Sequence, residues 1–178
     1  MDTILSQFPF FSGISRERQE EIESFAITQD YAQGETVFQS DEPARNLYGL
    51  LKGEVSLALV FREEVVTRNI KWEEYVDIKK EIFEKPVIIE EISPGNIFGW
   101  SALVEPAKMT AAAKCETDCQ ILLIPAELLK KVFEKDPELG YILSSRISDI
   151  IAGRLNTRTQ KLVDAWCTLF ENGSIGAV

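Results

Sequence analysis

Histidine is absent from this sequence, and that absence removes several kinds of chemistry at once. Catalysis by Ser-His-Asp or Cys-His groups, zinc sites with histidine ligands and pH switching by imidazole all need this side chain. No other nucleophile setting replaces it. Ser101 follows Gly99 and Trp100, but it lacks the trailing glycine and the base of a nucleophile elbow. The sequence therefore predicts that the protein is not an enzyme.

Cysteine is scarce, and long apolar runs are missing. The three cysteines, Cys115, Cys119 and Cys167, do not form the even framework of a secreted disulfide scaffold. Cys115 and Cys119 are too few for a four-thiolate zinc site, so we expect buried reduced thiols and no metal. No run approaches the roughly 18 apolar residues of a membrane helix, and the first residues lack the features of a signal peptide. We therefore expect a cytoplasmic chain with no membrane partner.

The chain that remains is acidic and rich in hydrophobic side chains. Its 178 residues carry a net charge of −10 and are 45% hydrophobic. A general nucleic-acid surface needs clustered Lys and Arg, so this charge disfavours one. The length suits one domain with a full core, or one domain followed by a long terminal helix.

Local patterns run in the order helix, short strands, helices. Ser15 is placed to cap a first helix, and the phenylalanines before it are predicted to clamp that helix to the main body. From Ile27 to about Phe61 the pattern changes to short strands broken by turn residues. The clearest strand has one apolar face at alternate positions, formed by Val55, Leu57, Leu59 and Phe61.

Residues 62–86 interrupt this pattern with dense charges of both signs. Trp72, Tyr75, Ile78 and Ile82 occur there at near-helical spacing. Two interpretations stay open, an extended hairpin and a helical insertion on the surface. Strand signal resumes at Pro86, and Ser93-Pro94-Gly95-Asn96 is typical of a turn.

The C-terminal part is predicted to be helical. One helix ends near Lys135, and Asp136-Pro137 is a typical start for a last helix that extends toward Phe170. An apolar stripe along that helix would run roughly 40 Å. We expect this stripe to pair with a second copy of the chain; the alternative is a helix that folds back after a break near Gly153. The predicted homodimer contacts are Leu143, Ile147, Ile151, Leu155 and Leu162, while Arg154, Arg158 and Lys161 are interpreted as a solvated flank.

Several motifs occur in a fixed order along the chain. GETVFQSDEPARNLYGLLKGEVSL is followed by SPGNIFGWSAL, by Pro106 and by TAAAKC. Over roughly Phe10 to Leu162 this order resembles the cyclic-nucleotide-binding domain, and more closely the effector domain of Crp/Fnr-type bacterial regulators. The resemblance implies a mainly β fold, a double-stranded β-helix (β-roll or jelly roll) with an N-terminal helix and C-terminal helices. We expect a roll at residues 1–135, with 62–86 as a charged insertion in a hairpin, and a dimerisation helix at 136–172.

The resemblance also implies a ligand pocket closed by a short helix after Gly99. The positions that would line it are Phe98, Gly99, Trp100, Ser101, Ala102, Leu103, Lys108, Met109 and Thr110. The family motif has a glutamate where this chain has Trp100, and an arginine where it has Met109. Losing both charge-assisted contacts disfavours cAMP and cGMP. The ligand is left unidentified.

Two of these positions keep alternative interpretations. Lys108 could reach inward and replace the arginine, or it could be an ordinary solvated lysine, which is the favoured interpretation. Trp100 could stack on a planar ligand or fill the space that a nucleotide would occupy.

Two functional hypotheses follow. The first is a stand-alone regulatory sensor in signal transduction that binds a small ligand, such as a nucleotide, in the roll pocket and shifts the closing helices. The second is a ligand-free homodimeric interaction module with its pocket plugged by Trp100 and Met109. Only Glu171 to Val178 lie beyond the predicted last helix, too few for a DNA-reading domain, so we expect no direct DNA binding. The downstream protein partner is not identified.

Overall fold

The computed structural model describes residues 3–70 and 76–171, with side chains described outside 61–84 and 169–171. Two 3₁₀ turns, Ile4–Gln7 and Pro9–Phe11, precede the first helix. The remaining elements, in chain order, are α1 (Arg16–Glu23), β1 (Ile27–Tyr31), β2 (Thr36–Phe38), β3 (Asn46–Lys52), β4 (Val55–Ile70), β5 (Val76–Ile92), β6 (Ile97–Phe98), a 3₁₀ turn (Trp100–Leu103), β7 (Ala112–Cys115), β8 (Cys119–Pro125), α2 (Ala126–Lys135) and α3 (Pro137–Glu171).

Two antiparallel four-stranded sheets face each other and form the roll. Their strand orders are β1-β8-β3-β6 and β2-β7-β4-β5. Strand β8 carries apolar side chains on both of its faces, because one face covers the roll interior and the other is covered by the helices. Ile121 packs in the core between the sheets, whereas Leu122 and Ile124 pack toward the helices, because successive side chains point to opposite faces. The predicted fold, a mainly β roll with flanking helices, is confirmed.

Strands β4 and β5 form one long hairpin that contains the charged segment. The pairing runs from Val55 opposite Ile92 to Ile70 opposite Val76. The hairpin interpretation of residues 62–86 is therefore the correct one, and the helical interpretation is wrong. Strand β5 also begins well before Pro86, where the sequence pattern placed its start. Trp72 and Tyr75 lie outside the described residues.

The alternating face predicted for β4 stops partway along the strand. Val55 and Leu57 are buried, but Leu59 is exposed. The register shifts between Leu57 and Ala58 because Ile89 of β5 has no partner on β4, which marks a bulge in β5 at this point of the hairpin. The prediction is correct for the part of β4 that covers the roll and wrong at Leu59, where the strand leaves the core.

The N-terminal phenylalanines join the first helix to the roll, as expected. Phe8, Phe10 and Phe11 are all buried in the core that lies between the roll and the helices. Phe8 lies directly over Gly49 of β3, where an added Cβ would come within 2.6 Å of its ring. Arg146 of α3 donates hydrogen bonds to the carbonyl oxygens of Phe10 and Ser12, so this segment is bound to both the sheet and the last helix.

Helix α3 begins as predicted and continues without a break. The Asp136 carboxylate caps it by accepting a hydrogen bond from the Leu139 amide at 3.0 Å. This bond, together with the Arg18 guanidinium, lowers the pKa of Asp136. The helix runs through Gly153 to Glu171, so the expected alternative of a break near Gly153 is wrong. None of the described helices is long and apolar enough to cross a bilayer.

The first apolar positions of α3 belong to the core of their own chain. Leu143 and Ile147 are buried against the N-terminal segment and α2. The expectation that these two residues contact a second copy is therefore wrong, because their side chains are already buried within the same chain. Leu155 and Leu162, by contrast, are exposed, at 63% and 59%.

Cys115 and Cys119 are buried free thiols at the ends of the closing strands, as the sequence analysis expected. Burial, with the neighbouring Cys119 thiol, raises the pKa of Cys115 to about 12. Within the part of the chain that the structure describes, no group of three or more Cys, Asp or Glu side chains is placed to hold a metal ion.

The contact between Phe8 and Gly49 predicts a large loss of stability when the ring is removed. We expect Phe8→Ala to lower the free energy of unfolding by about 3–5 kcal/mol, because the cavity cannot be refilled by the tightly packed sheet. Urea denaturation measures this change. Leu128→Ala, at a partly exposed position of α2, is the control and should change stability by less than about 0.5 kcal/mol. Equal effects of the two substitutions would contradict the proposed role of Phe8.

Candidate functional site

Gly99 sets the geometry of the short turn beside the roll interior. Its backbone is left-handed, with φ of 72°, and a Cβ would lie 2.6 Å from Cδ2 of Tyr48. Both the dihedral angle and the space therefore require glycine. The residue ends β6 and starts the Trp100–Leu103 turn at the position where the sequence analysis placed it.

Three aromatic rings fill the roll beneath this turn. Phe38, Tyr48 and Phe98 pack with ring centroids 5.2–6.1 Å apart, and the Tyr48 and Phe98 rings are stacked. Burial raises the pKa of Tyr48, so its phenol stays neutral. These rings occupy the space between the two sheets and leave little room for a guest molecule.

The cavity that remains in the roll has a volume of about 20 Å³. A space of this size holds about one water molecule. Of the predicted pocket residues, those at the turn and on the opposite loop line it: Gly99, Trp100, Ser101, Met109 and Thr110. Phe98 and Ala102 are buried in the core nearby, Leu103 is half-buried, and Lys108 is exposed. The remaining lining residues are Phe38, Leu57, Ala111, Arg154 and Arg158.

Met109 and Lys108 have opposite environments. Met109 is buried and lines the roll cavity, and its backbone amide donates a hydrogen bond to the carbonyl of Glu42. Lys108 forms an isolated bridge with Pro43 and its side chain is exposed to solvent. The structure therefore favours the solvated interpretation of Lys108 over the inward one.

Trp100 lies between the cavity and the helices. It is half-buried and packs against the core that contains the N-terminal phenylalanines and the start of α3. The same residue lines the roll cavity. Trp100 thus fills space on both sides of the turn, which is the second of the two roles considered for it.

Arg154 lines the roll cavity, and sequence reasoning did not predict this. Its Nε lies 2.9 Å from Oε1 of Glu90 on β5, and its Nη2 donates to the carbonyl oxygen of Ile97 at 3.3 Å. Only 14% of its side chain is exposed. The interpretation of Arg154 as part of a solvated flank is therefore wrong. Spacing along α3 placed it correctly beside Arg158 but could not show that this flank packs on β5.

The surroundings of the Arg154–Glu90 ion pair do not fully compensate the two buried charges. Burial lowers the pKa of Arg154, while the nearby Glu90 carboxylate raises it and Arg158 lowers it further. The second oxygen of Glu90 is buried and has no hydrogen-bond partner among the described residues. Among the described residues, the Glu90 carboxylate therefore depends on Arg154 as its ion-pair partner, whereas Arg154 is bound by both Glu90 and the Ile97 carbonyl.

Comparison with known families and structures agrees with this architecture. The sequence model described as "Cyclic nucleotide-binding domain" matches residues 28–136. No curated protein sequence matches the chain.

Three solved structures illustrate the shared fold. A putative cyclic nucleotide-binding protein from Geobacter metallireducens GS-15 is 22% identical, with a TM-score of 0.62, over 83% of this chain and 92% of its own. The sensor domain of the transcriptional regulator DNR from Pseudomonas aeruginosa is 18% identical, with a TM-score of 0.59, over 85% and 89%. The Thermus thermophilus catabolite activator protein is 19% identical, with a TM-score of 0.59, over 86% of this chain but only 61% of its own length.

The Arg154–Glu90 pair predicts a measurable coupling. We expect Arg154→Met to lower the free energy of unfolding by about 1–3 kcal/mol, because it leaves a buried carboxylate without its partner. The double variant Arg154→Met/Glu90→Gln should lose less than the sum of the two single variants. Urea unfolding of the four proteins gives the coupling energy. Lys161→Met, at an exposed position of the same helix, is the control; strictly additive losses would contradict the pairing.

Proposed function

Because this chain belongs to the cyclic nucleotide-binding domain family, we propose that it is a non-enzymatic regulatory domain that acts as a homodimeric interaction module, with its roll pocket plugged by its own side chains. The observation that carries this proposal is the 20 Å³ volume of the roll cavity. Small-molecule sites are usually about 300–1,000 Å³, so a nucleotide has no room beside the three aromatic rings.

The chemistry at the cavity wall supports the same conclusion. Trp100 offers one N–H donor where the family motif has a glutamate acceptor, and Met109 offers no charge where the motif has an arginine. Each lost charge-assisted hydrogen bond weakens binding by about 1.5–3 kcal/mol. Together they would weaken a cyclic nucleotide by about three orders of magnitude.

A ligand sensor that uses the roll pocket is the second candidate. One specific observation favours it: the Ser101 hydroxyl lies in a residue that is only 8% exposed, and it has no hydrogen-bond partner among the described residues. A polar group left unpaired at a cavity wall is a typical place for a ligand atom or an ordered water. In this hypothesis the pocket opens when a ligand binds, and α3 shifts.

Helix α3 is the proposed contact surface. After Arg154, every described side chain to Thr168 is exposed, and Leu155, Leu162 and Val163 are among them. Helical segments with exposed apolar residues gain most of their stability from packing, so this part of α3 needs a partner. We propose a second copy of the chain, with Ile151, Leu155 and Leu162 in the seam. The acidic net charge makes direct DNA binding by this chain unfavourable.

Calorimetric titration with cAMP and cGMP tests the plugged pocket. We expect no binding by the native chain up to about 1 mM ligand, because the cavity is filled and both charged contacts are missing. Binding by the native chain in the micromolar range would overturn the proposal.

The variant Trp100→Glu/Met109→Arg separates the two candidate functions. If it binds, the pocket is intact but retuned, and the sensor hypothesis is favoured; if it stays silent, the interaction module is favoured. The control variant Val104→Glu/Lys108→Arg changes the same kinds of residues beside the cavity, and it should behave like the native chain in either case.

Sedimentation velocity tests the proposed homodimer. We expect the native chain to sediment as a dimer and Leu155→Glu to sediment as a monomer, because a buried carboxylate in an apolar seam is costly. Asn156→Glu adds the same charge one residue further along the helix, on a different flank, and should leave the dimer intact. A monomeric native chain, or a dimer that Leu155→Glu leaves unchanged, would contradict the proposal.

A further inference from the structure

An open cleft lies outside the roll, between the end of β5 and helix α3. Its volume is about 400 Å³, which is within the range of small-molecule sites. Four isoleucines form part of its walls: Ile89, Ile92, Ile97 and Ile150. No residue of the Trp100–Leu103 turn is among the described residues that line it, so a ligand in this cleft is not held by that turn.

The charged side chains that line the cleft balance in sign. Glu90 and Glu91 belong to the β5 wall, and Arg154 and Arg158 belong to the α3 wall. Because the charges of these described residues cancel, the cleft gives no net attraction to a ligand that carries charge of only one sign. A molecule that is neutral overall, with one positive and one negative group, matches the two walls.

The second oxygen of Glu90 identifies where the positive group binds. This oxygen is buried and accepts no hydrogen bond from any described residue, and a buried acceptor without a donor is a typical place for a bound donor. The last torsion of a glutamate side chain has a broad range, so a small rotation presents this oxygen to the cleft. The neighbouring Glu91 is exposed to solvent and has no such deficit.

Arg158 is the matching group on the α3 wall. It has no ion pair or hydrogen bond among the described side chains, and its charge lowers the pKa of Arg154. A carboxylate beside Arg158 offsets this repulsion and forms charge-assisted hydrogen bonds with its guanidinium. Arg154 contacts Glu90 and is close enough to Arg158 to be repelled by it, so the acidic and basic groups of the cleft lie beside the same side chain.

We propose that this cleft binds an aliphatic α-amino acid, with its ammonium group on Glu90, its carboxylate on Arg158 and its side chain against the isoleucine walls. An α-amino acid is neutral overall and carries its two charged groups on the same carbon atom, as the two neighbouring charged side chains of the cleft require. Its aliphatic part is removed from water by the isoleucines, which favours binding. This inference goes beyond the proposed function, because it adds ligand binding at a site outside the plugged roll.

Titration of the full chain, labelled with ¹⁵N, with L-leucine tests the proposal. We expect saturable shifts of the Gly153 amide, which lines the cleft, whereas the amide of Ala113 in the roll core stays unchanged. Two analogues of leucine each lack one charged group: isoamylamine lacks the carboxylate, and isocaproate lacks the ammonium group. Each should bind at least about tenfold more weakly than leucine, as loss of one charge-assisted contact predicts.

Matched variants assign each charge of the ligand to one side chain. Arg158→Gln should weaken leucine binding at least about tenfold but should not weaken isoamylamine binding, because this amine has no carboxylate to lose. Glu90→Gln should weaken leucine binding but should not weaken isocaproate binding. Lys161→Gln removes a positive charge from an exposed position of the same helix and should bind leucine like the native chain.

Three results would overturn the inference: no saturable shifts up to about 10 mM leucine, isocaproate that binds as tightly as leucine, or equal weakening by Arg158→Gln and Lys161→Gln. None of these would affect the proposed function, which depends on the roll cavity and on α3 pairing. Urea unfolding shows whether Glu90→Gln still folds without the full charge on the partner of Arg154. If it does not fold, the comparison of leucine and isoamylamine on Arg158→Gln still decides the question.

Discussion

The Arg154–Glu90 ion pair joins the middle of α3 to strand β5 of the roll. Burial disfavours the charge of Arg154, and its two partners among the described residues come from β5 and β6. If the helix slid along the sheet, it would leave a buried carboxylate and a buried guanidinium without partners, which is strongly destabilising. The roll cavity and a cleft of about 400 Å³ between β5 and α3 share this arginine as a wall. The shape of both spaces therefore depends on one contact between a strand and a helix.

Local chemistry explains which parts of this structure the sequence could predict. The turn at Gly95, the short helical turn after Gly99 and the Asp136 cap each depend on local geometry, and all three were placed correctly. The hairpin at 62–86 was ambiguous because strand pairing is not visible in the spacing of side chains. The cavity residues on the turn came from the family resemblance, but Arg154 and Phe38 did not, since only tertiary packing brings them there. Leu143 and Ile147 were misassigned because an apolar stripe does not show which of its parts is covered by the same chain.

The packing of the roll interior continues through the turn at Trp100 into the core beneath the helices. The two sheets bury three aromatic rings between them, so the roll interior is packed like an ordinary core. Trp100 extends that packing through the turn to the helices. Trp100 therefore connects the turn to the core that the roll shares with the helices.

The long hairpin has a consequence for self-association of the sheets. Strand β5 is the edge of its sheet, and an extended edge with unpaired backbone groups can template the addition of further strands. Val87 and Ile88 are exposed on this strand, which increases that hazard. Pro86 precedes them and has no N–H to donate, and the exposed Lys85 adds a charge beside it. Because Pro86 lacks an N–H donor next to the exposed Val87 and Ile88, it disfavours the addition of a further strand at this edge and so opposes aggregation.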